Sequence, residues 1–318
     1  MNSKHPILAL VGPTASGKSD FAFELAKRYQ ACIVNCDSLL IYKNLNIGTA
    51  KPSTEEQQII DHFMLDLIAP NETYNVADYC RQAKKIIERE VERRPVIIVG
   101  GTGFYLKALL CGVWKAPPTN PQLRQELDER YKSEPPTERN QKLHQRLQSL
   151  DPDYAAKIHP NDYYRVVRGI EIVETTGLPV EQSTKDLDTS VRLDLDVSII
   201  GIDRTKLDIE KRITQRTNAM FAEGLVAESK DIIQNLNIDL ENVPKSLQSV
   251  GYAEVITFLK GKTTITECRE RVVISTRQLV KKQRTFFNTF PKPIQWFELP
   301  KNETELEDFV SSFFKKKT

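Results

Sequence analysis

Gly12-Pro13-Thr14-Ala15-Ser16-Gly17-Lys18-Ser19 sets two glycines, a lysine and a serine hydroxyl at the spacing Gly-x-x-x-x-Gly-Lys-Ser. The chemistry of that set is polyphosphate binding. The glycines let the backbone curl until several N–H groups point inward at phosphate oxygens, and a helix starting there adds the positive end of its dipole. Lys18 brings a full charge and Ser19 a ligand for magnesium. The apolar run at 7–11 before the motif and the amphipathic stretch at 20–28 after it separate this loop from an ordinary strand-to-helix turn.

Asp37 is the second candidate. It follows the apolar run 32–34 in Asn35-Cys36-Asp37-Ser38, on the sheet rim that also bears the phosphate loop, where ligands bind in open α/β sheets. Three roles suit a carboxylate there: holding magnesium, accepting a proton as general base, or capping a helix N-terminus. Gly100-Gly101-Thr102-Gly103 closes the run 96–99, and glycines at the end of a parallel strand let a ligand approach the backbone. Thr49 and Lys51, in the polar stretch Ile47-Gly48-Thr49-Ala50-Lys51-Pro52, can add phosphate donors.

Other motifs carry less. Thr205-Lys206-Leu207-Asp208 imitates a guanine-specificity element, but no Asp-x-x-Gly stands anywhere in the chain, so the γ-phosphate sensor of a GTPase is missing. Asp203 and Thr205 read instead as helix-start residues. His62, His144 and His159 show no metal-ligand spacing, and Cys32 with Cys36 finds no second pair, so these cysteines read as small apolar fillers beside a strand. Between Arg269 and Arg284 six basic residues stand against the single acid Glu270, followed by Phe286, Phe287 and Phe290. Such a face can track a phosphate backbone, or be a solvated helix face whose aromatics dock on the core; charge alone does not choose.

The elements that must position these residues alternate. Strand patterns at 7–11, 32–34, 63–68, 96–99 and 197–202 are separated by helical patterns such as 21–28, 76–93 and 104–110. The expected fold is α/β, a parallel-sheet core like that of phosphate-loop NTPases. Asn75 with Asp78 resembles a capping box, and Arg94-Pro95 ends a helix before the next strand. From Pro117-Pro118 to Leu187 charges are many and β-branched runs few, with helical periods at 123–131 and 143–150 and a break at Pro135-Pro136. Residues 117–187 are therefore read as a helical insertion in a catalytic core formed by 1–116 and 188–318. The part after 202 is expected to be mainly helical, ending in a frayed tail Lys315-Lys316-Lys317.

Composition bounds the rest. A chain of 318 residues, 40% hydrophobic and 28% charged, can bury a sizeable core and belongs with neither disordered nor membrane proteins. No apolar run approaches a bilayer span, and Met1-Asn2-Ser3-Lys4 leads straight into the first strand, so a cytosolic location without signal or transit sequence is expected. Five scattered cysteines fit reduced thiols, and a net charge of +2 does not by itself announce a nucleic-acid binder.

Several segments taken together resemble one family. Gly12 to Ser19 combine with Asp37-Ser38-Leu39-Leu40-Ile41-Tyr42, Asn46-Ile47-Gly48-Thr49-Ala50-Lys51-Pro52 and Val99-Gly100-Gly101-Thr102-Gly103-Phe104-Tyr105. Arg124, His159-Pro160-Asn161-Asp162, Arg165, Arg168, Ser249-Val250-Gly251-Tyr252 and Thr276-Arg277-Gln278-Leu279 with Lys281, Lys282, Gln283 and Thr285 continue the likeness along nearly the whole chain. The chain resembles the bacterial tRNA dimethylallyltransferases. The resemblance implies a magnesium-dependent prenyltransferase that moves a dimethylallyl group from its diphosphate to the exocyclic amine of the adenosine 3′ of the anticodon, in tRNAs reading codons that begin with U.

By that resemblance Gly12, Pro13, Thr14, Ala15, Ser16, Gly17, Lys18 and Ser19 hold the diphosphate or a nucleotide, with magnesium on Ser19. Asp37 is the base, and Thr14, Lys18 and Thr102 complete the catalytic set. The target adenine is extruded into the pocket, where it meets Asp37, Ser38, Leu39, Leu40 and Thr102. The surrounding anticodon stem-loop is assigned to Arg124, Tyr164, Arg165, Val166, Val167 and Arg168, to Gln248, Ser249, Val250, Gly251, Tyr252 and Ala253, and to Lys281, Lys282, Gln283, Arg284, Thr285, Phe286, Phe287 and Asn288. The implied partners are tRNA and dimethylallyl diphosphate, with no membrane and a monomeric chain. Ser19 stands where the family usually has Thr, which keeps the hydroxyl, and Ala253 and Asn288 stand where a basic residue is common. No Cys/His zinc finger follows the core, unlike the eukaryotic members.

Two rival readings of the residues use less of the chain. A small-molecule kinase would place ATP in the loop but leaves 117–187 and the basic segment idle. A non-catalytic RNA-binding module with a regulatory nucleotide leaves Asp37 without a task.

Overall fold

The computed structural model describes residues 5–315. Met1-Asn2-Ser3-Lys4, where no leader was expected, and the Lys316-Lys317 part of the expected frayed tail lie outside them. The chain divides into two compact units, one running up to Cys111 and resuming at Val191, the other Gly112–Ser190.

The first unit is built on six parallel strands. These are β1 (Ile7–Val11), β2 (Cys32–Asn35), β3 (His62–Phe63), β4 (Val96–Gly100), β7 (Val197–Arg204) and β8 (Gln295–Leu299), in the order β3-β2-β4-β1-β7-β8. β1, β2 and β4 are buried along their whole length, which is why they read as continuous apolar runs rather than alternating ones. β1 lies between β4 and β7, with Val11 opposite both Gly100 and Gly201, so the strand ends that carry the candidate residues share one rim.

Helices α1 (Lys18–Tyr29), α2 (Thr54–Ile59), α3 (Val76–Glu90) and α4 (Gly103–Cys111) connect the first strands. α10 (Lys206–Glu223), α11 (Leu225–Asn235), α12 (Tyr252–Leu259), α13 (Ile265–Asn288) and α14 (Glu303–Lys315) complete the unit. One core cluster joins sheet residues such as Leu8, Leu10, Ile97 and Ile202 to Leu25 of α1 and Val310 and Phe314 of α14. A second joins Ile41, Tyr42 and Leu45 to Leu225, Ile232, Leu247, Tyr252 and Val255.

One expectation is corrected. The strand read at 63–68 stops at Phe63, because Met64 and Asp66 take left-handed backbone (φ 63° and 51°) that breaks the pleat. The run is apolar because it wraps under the loop after β2, where Leu67 N–H reaches Ile41 O at 2.7 Å and Ile68 bridges Tyr42. The part after 204 is mainly helical, as expected, and adds one strand, β8, a sheet edge whose inward residues are Phe297 and Leu299. At Asn75 only half of the capping box forms, its side chain accepting from Asp78 N–H at 3.0 Å.

The second unit contains α5 (Pro121–Arg130), α6 (Pro136–Leu150), α7 (Pro152–Ala155), α8 (Tyr163–Thr176) and α9 (Val180–Ser183). A two-stranded antiparallel pair, β5 (Val113–Trp114) with β6 (Leu187–Asp188), lies at its ends in sequence. Its core is Leu127, Leu143, Leu147, Ile158, Val166, Val167 and Ile170. Among the described residues no helix is long and apolar enough to cross a membrane.

Candidate active site on the sheet rim

The phosphate loop leaves β1 at Gly12 and enters α1 at Lys18. Gly12 approaches β7 so closely that a Cβ there would lie 2.2 Å from Ile202 O, and Gly17 takes φ 91° as the N-cap. No side chain caps the first N–H groups of α1, and Ser16 Oγ, fully buried, has no partner among the described residues. Uncapped helix N–H groups beside an unpartnered hydroxyl form an anion cradle.

Three arginines from β7 and α10 brace this loop from outside. Arg204 Nε donates to Ser16 O at 2.7 Å and Arg212 Nε to Ala15 O at 2.9 Å. Arg216 donates through Nη1 to Thr14 Oγ1 at 3.0 Å and through Nη2 to Thr49 O at 3.2 Å. None of the three was singled out from sequence. The available signal was the i, i+4 spacing of Arg212 and Arg216 on a helix that follows a rim strand.

Lys18 is 9% exposed, its Nζ donating to Pro13 O at 3.2 Å. Burial lowers its pKa from 10.5 to about 8, Asp37 opposing and Arg216 adding to the fall. Burial likewise pulls Arg216 below the usual guanidinium range against the pull of Asp37. One buried and one half-buried cation are thus held short of full compensation by carboxylates, which is the electrostatic condition for taking up an anion. Arg216 also lines a cleft of about 890 Å³ shared with Lys51, Ser53 and Asp66, so the clamp is reached from solvent.

Asp37 opens the turn after β2 and caps no helix. Its Oδ1 accepts from Leu39 N–H at 3.0 Å and its N–H donates to Asn35 Oδ1 at 3.1 Å, while Oδ2 takes no hydrogen bond among the described residues. Thr102 closes the other side: its Oγ1 accepts from Ser38 N–H at 3.1 Å, and its N–H donates to Cys36 O at 3.3 Å. Gly100 makes that approach possible, since a Cβ there would stand 1.9 Å from Cys36 O. The structure therefore brings Thr14, Lys18, Asp37 and Thr102 onto one rim, as expected. The Cys36 thiol beneath is pushed by burial up to about 12 and stays a filler.

The segments assigned to RNA split by side-chain direction. On α13, Lys281, Lys282, Thr285 and Asn288 are exposed, and on the approach to α12 so is Gln248. Gln283 instead bridges the rim, accepting from Thr14 N–H at 2.8 Å and donating to Gly101 O at 3.1 Å. Arg284 pairs with Asp203 at 2.7 and 2.8 Å, and Phe287 is buried. Tyr252 is fully buried with its hydroxyl on Glu228. These four contribute positioning rather than a surface.

In the second unit Val166 and Val167 are core residues, 0% and 4% exposed, and offer RNA no surface; Tyr164 and Arg165 are exposed. Arg124 and Arg168 converge on Glu171, which is fully buried. Burial pushes the Glu171 carboxyl up, but hydrogen bonds from both arginines outweigh it and hold the group below its ordinary range. Arg124→Ala is accordingly expected to destabilise this unit by about 3 kcal/mol, since it leaves a buried carboxylate with half its compensation. Thermal melting checks this, and adding Glu171→Gln should recover part of the loss.

Residues 40–290 match the family model described as IPP transferase. The chain is 37% identical over 314 residues to a tRNA dimethylallyltransferase of Geobacter sulfurreducens, covering 98% of each, and 37% identical to one of Gloeothece citriformis, covering 98% and 97%. Among solved structures it is similar to the tRNA isopentenylpyrophosphate transferase of Bacillus halodurans, with TM-score 0.67, 30% identity and 98% of both chains covered. A eukaryotic dimethylallyltransferase acting on tRNA shares the fold at TM-score 0.73 and 23% identity, over 97% of this chain and 80% of that one.

Proposed function

The chain belongs to the IPP transferase family, and from that premise we propose that it is a tRNA dimethylallyltransferase whose donor diphosphate sits in the Gly12–Ser19 loop. The observation that carries the proposal is the rim itself, where buried Lys18 and half-buried Arg216, which donates to Thr14 Oγ1 of the phosphate loop, stand within electrostatic reach of Asp37.

In this reaction the exocyclic amine of the adenosine 3′ of the anticodon attacks the allylic carbon of dimethylallyl diphosphate. A carbon–nitrogen bond forms, the carbon–oxygen bond to diphosphate breaks, and the amine loses a proton. Charge grows on the departing oxygen, and fixed donors aimed at that position stabilise it most. Lys18, Arg216 and the N–H groups at the start of α1 are those donors. Asp37 takes the proton on Oδ2, its other oxygen being held by Leu39 N–H so that the carboxylate cannot turn away. Thr14 and Thr102 fix the two walls between which donor and adenine meet.

Magnesium fits the loop. The exposed Ser19 hydroxyl stands in the first turn of α1, and among the described residues no group of three or more His, Cys, Asp or Glu gathers for a metal. A cation held by one hydroxyl, water and the ligand's own phosphate oxygens is the binding mode magnesium prefers. When bound it would supply Lewis-acid stabilisation of the leaving diphosphate. The RNA is met by Ser38, Leu39 and Leu40 at the flipped base, by Lys281, Lys282 and Gln248 in the first unit, and by Tyr164 and Arg165 in the second.

The test is a donor comparison. The full chain is incubated with unmodified tRNA, magnesium and labelled dimethylallyl diphosphate, beside a sample given labelled ATP. Label entering one adenosine from the first sample alone is expected; phosphate transfer from ATP would sink the proposal.

A further inference from the structure

Glu228 of α11 has no part in the scheme above, yet its carboxylate accepts four hydrogen bonds. Oε2 accepts from the N–H of Asn46 at 3.0 Å and of Ile47 at 2.9 Å, and Oε1 from Gly48 N–H at 3.4 Å and Tyr252 OH at 2.6 Å. Four donors from two separate segments converge on one group, and only a carboxylate offers two oxygens with lone pairs enough for all of them. A glutamine would turn an amide NH₂ against donors on one side.

The residues so held lead to the reacting groups on both sides. Thr49 follows Gly48 directly, and its carbonyl anchors Arg216 Nη2 while Arg216 Nη1 rests on Thr14 Oγ1. Thr49 Oγ1 donates to Leu45 O at 2.6 Å and Lys51 N–H to Asn46 O at 3.0 Å, so the loop closes on itself as one turn. Tyr252 starts α12 at the end of the stretch 248–253, and its ring lies so close to Gly48 that a Cβ there would fall 2.5 Å from the ring carbons.

The geometry points to Glu228 as a positioning residue: through the Asn46–Gly48 turn it sets the Thr49 carbonyl, and thereby the Arg216 guanidinium, against the phosphate loop. This rests on the reading of that loop as a diphosphate clamp. Because Tyr252 shares the same carboxylate, the segment at 248–253 and the clamp are tied to one anchor rather than to each other.

The experiment measures inorganic diphosphate affinity by titration, donor KM and kcat in prenyl transfer, and tRNA affinity without donor, for Glu228→Gln and Gly48→Ala in the full chain. Gly48→Ala leaves Glu228 intact and pushes the same turn off Tyr252, so it serves where Glu228→Gln fails to fold. Expected in both is about a tenfold weaker diphosphate and a donor KM raised about as much, kcat falling as well because Arg216 faces the departing oxygen, and tRNA affinity, which reaches this anchor only through Tyr252, falling by clearly less than diphosphate affinity. Combining Glu228→Gln with Arg216→Lys should raise the donor KM no further than Arg216→Lys alone, since the first acts only through the second. Unchanged diphosphate affinity in a folded variant, multiplying effects in the double variant, or parallel loss of tRNA binding would each overturn the proposal. Transfer by the unaltered chain in the same assay tests the donor reading separately, and diphosphate titration reports on Glu228 whichever way that falls.

Discussion

Asp37→Asn should lower turnover by about two to four powers of ten while tRNA affinity stays within a few-fold of the parent, because it removes the proton acceptor and keeps size and hydrogen bonding. The amide oxygen can still accept from Leu39 N–H, as Oδ1 does at 3.0 Å, so the turn from Ser38 to Ile41 is retained. What changes is the group on the other side, where a carboxylate oxygen gives way to an NH₂ that cannot take a proton from the amine. The substitution also removes the negative charge that draws on Lys18 and Arg216, leaving the two cations less compensated. Donor affinity is therefore expected to hold or to tighten, and single-turnover kinetics with saturating donor and tRNA isolate the chemical step. Near-normal single-turnover rates would remove Asp37 from the role of base. A rate loss accompanied by equal loss of both ligands would mean that the turn had collapsed.

The parts of this molecule that were legible in the sequence are those whose chemistry lies in consecutive residues. The phosphate loop, Asp37 after β2 and Gly100 to Thr102 after β4 each sit at the end of a buried apolar run, and parallel topology alone puts such ends on one rim. The arginine brace was not legible, since Arg216 and Thr14 are 202 residues apart and no local pattern announces that contact. At 205–208, where no guanine-specificity element stands, Thr205 accepts from Asp208 N–H at 3.3 Å as a helix-start residue, and Asp203 holds Arg284 instead. Family resemblance carried whole segments, such as 164–168, without regard to direction. The helical period sorts them: Val166, Val167 and Ile170 share the buried side of α8, and Tyr164 and Arg165 lie on the other. Residues 63–68 were misread for a related reason, because an apolar run records burial and not pleat.

Lys18→Met should lower donor kcat/KM by about a hundredfold or more and yet make the protein more stable. At neutral pH the folded chain holds Lys18 charged in a site whose burial lowers its pKa from 10.5 to about 8. That displacement corresponds to about 3 kcal/mol of disfavoured charge, a cost fully present below pH 8. Between pH 8 and 10.5 the unfolded chain binds more protons at this residue than the folded one, so stability rises with pH across that window and levels off above it. A methionine of similar length removes the cost, so the variant should be more stable by about 1–3 kcal/mol at pH 7. The value of about 8 already includes the attraction of Asp37, which opposes the lowering. The alkaline rise from pH 8 to 10.5 should disappear with it. In the unaltered chain the same titration discharges Lys18 above about pH 8, so donor kcat/KM should fall there. The variant should have kcat/KM lower by about a hundredfold or more at neutral pH and no such fall. Denaturant titrations at a series of pH values, run beside donor kinetics, check both halves. A Lys18→Met variant less stable than its parent at pH 7 would mean that the lysine is compensated in place, and the loop would then lack the excess positive charge that the donor is proposed to neutralise.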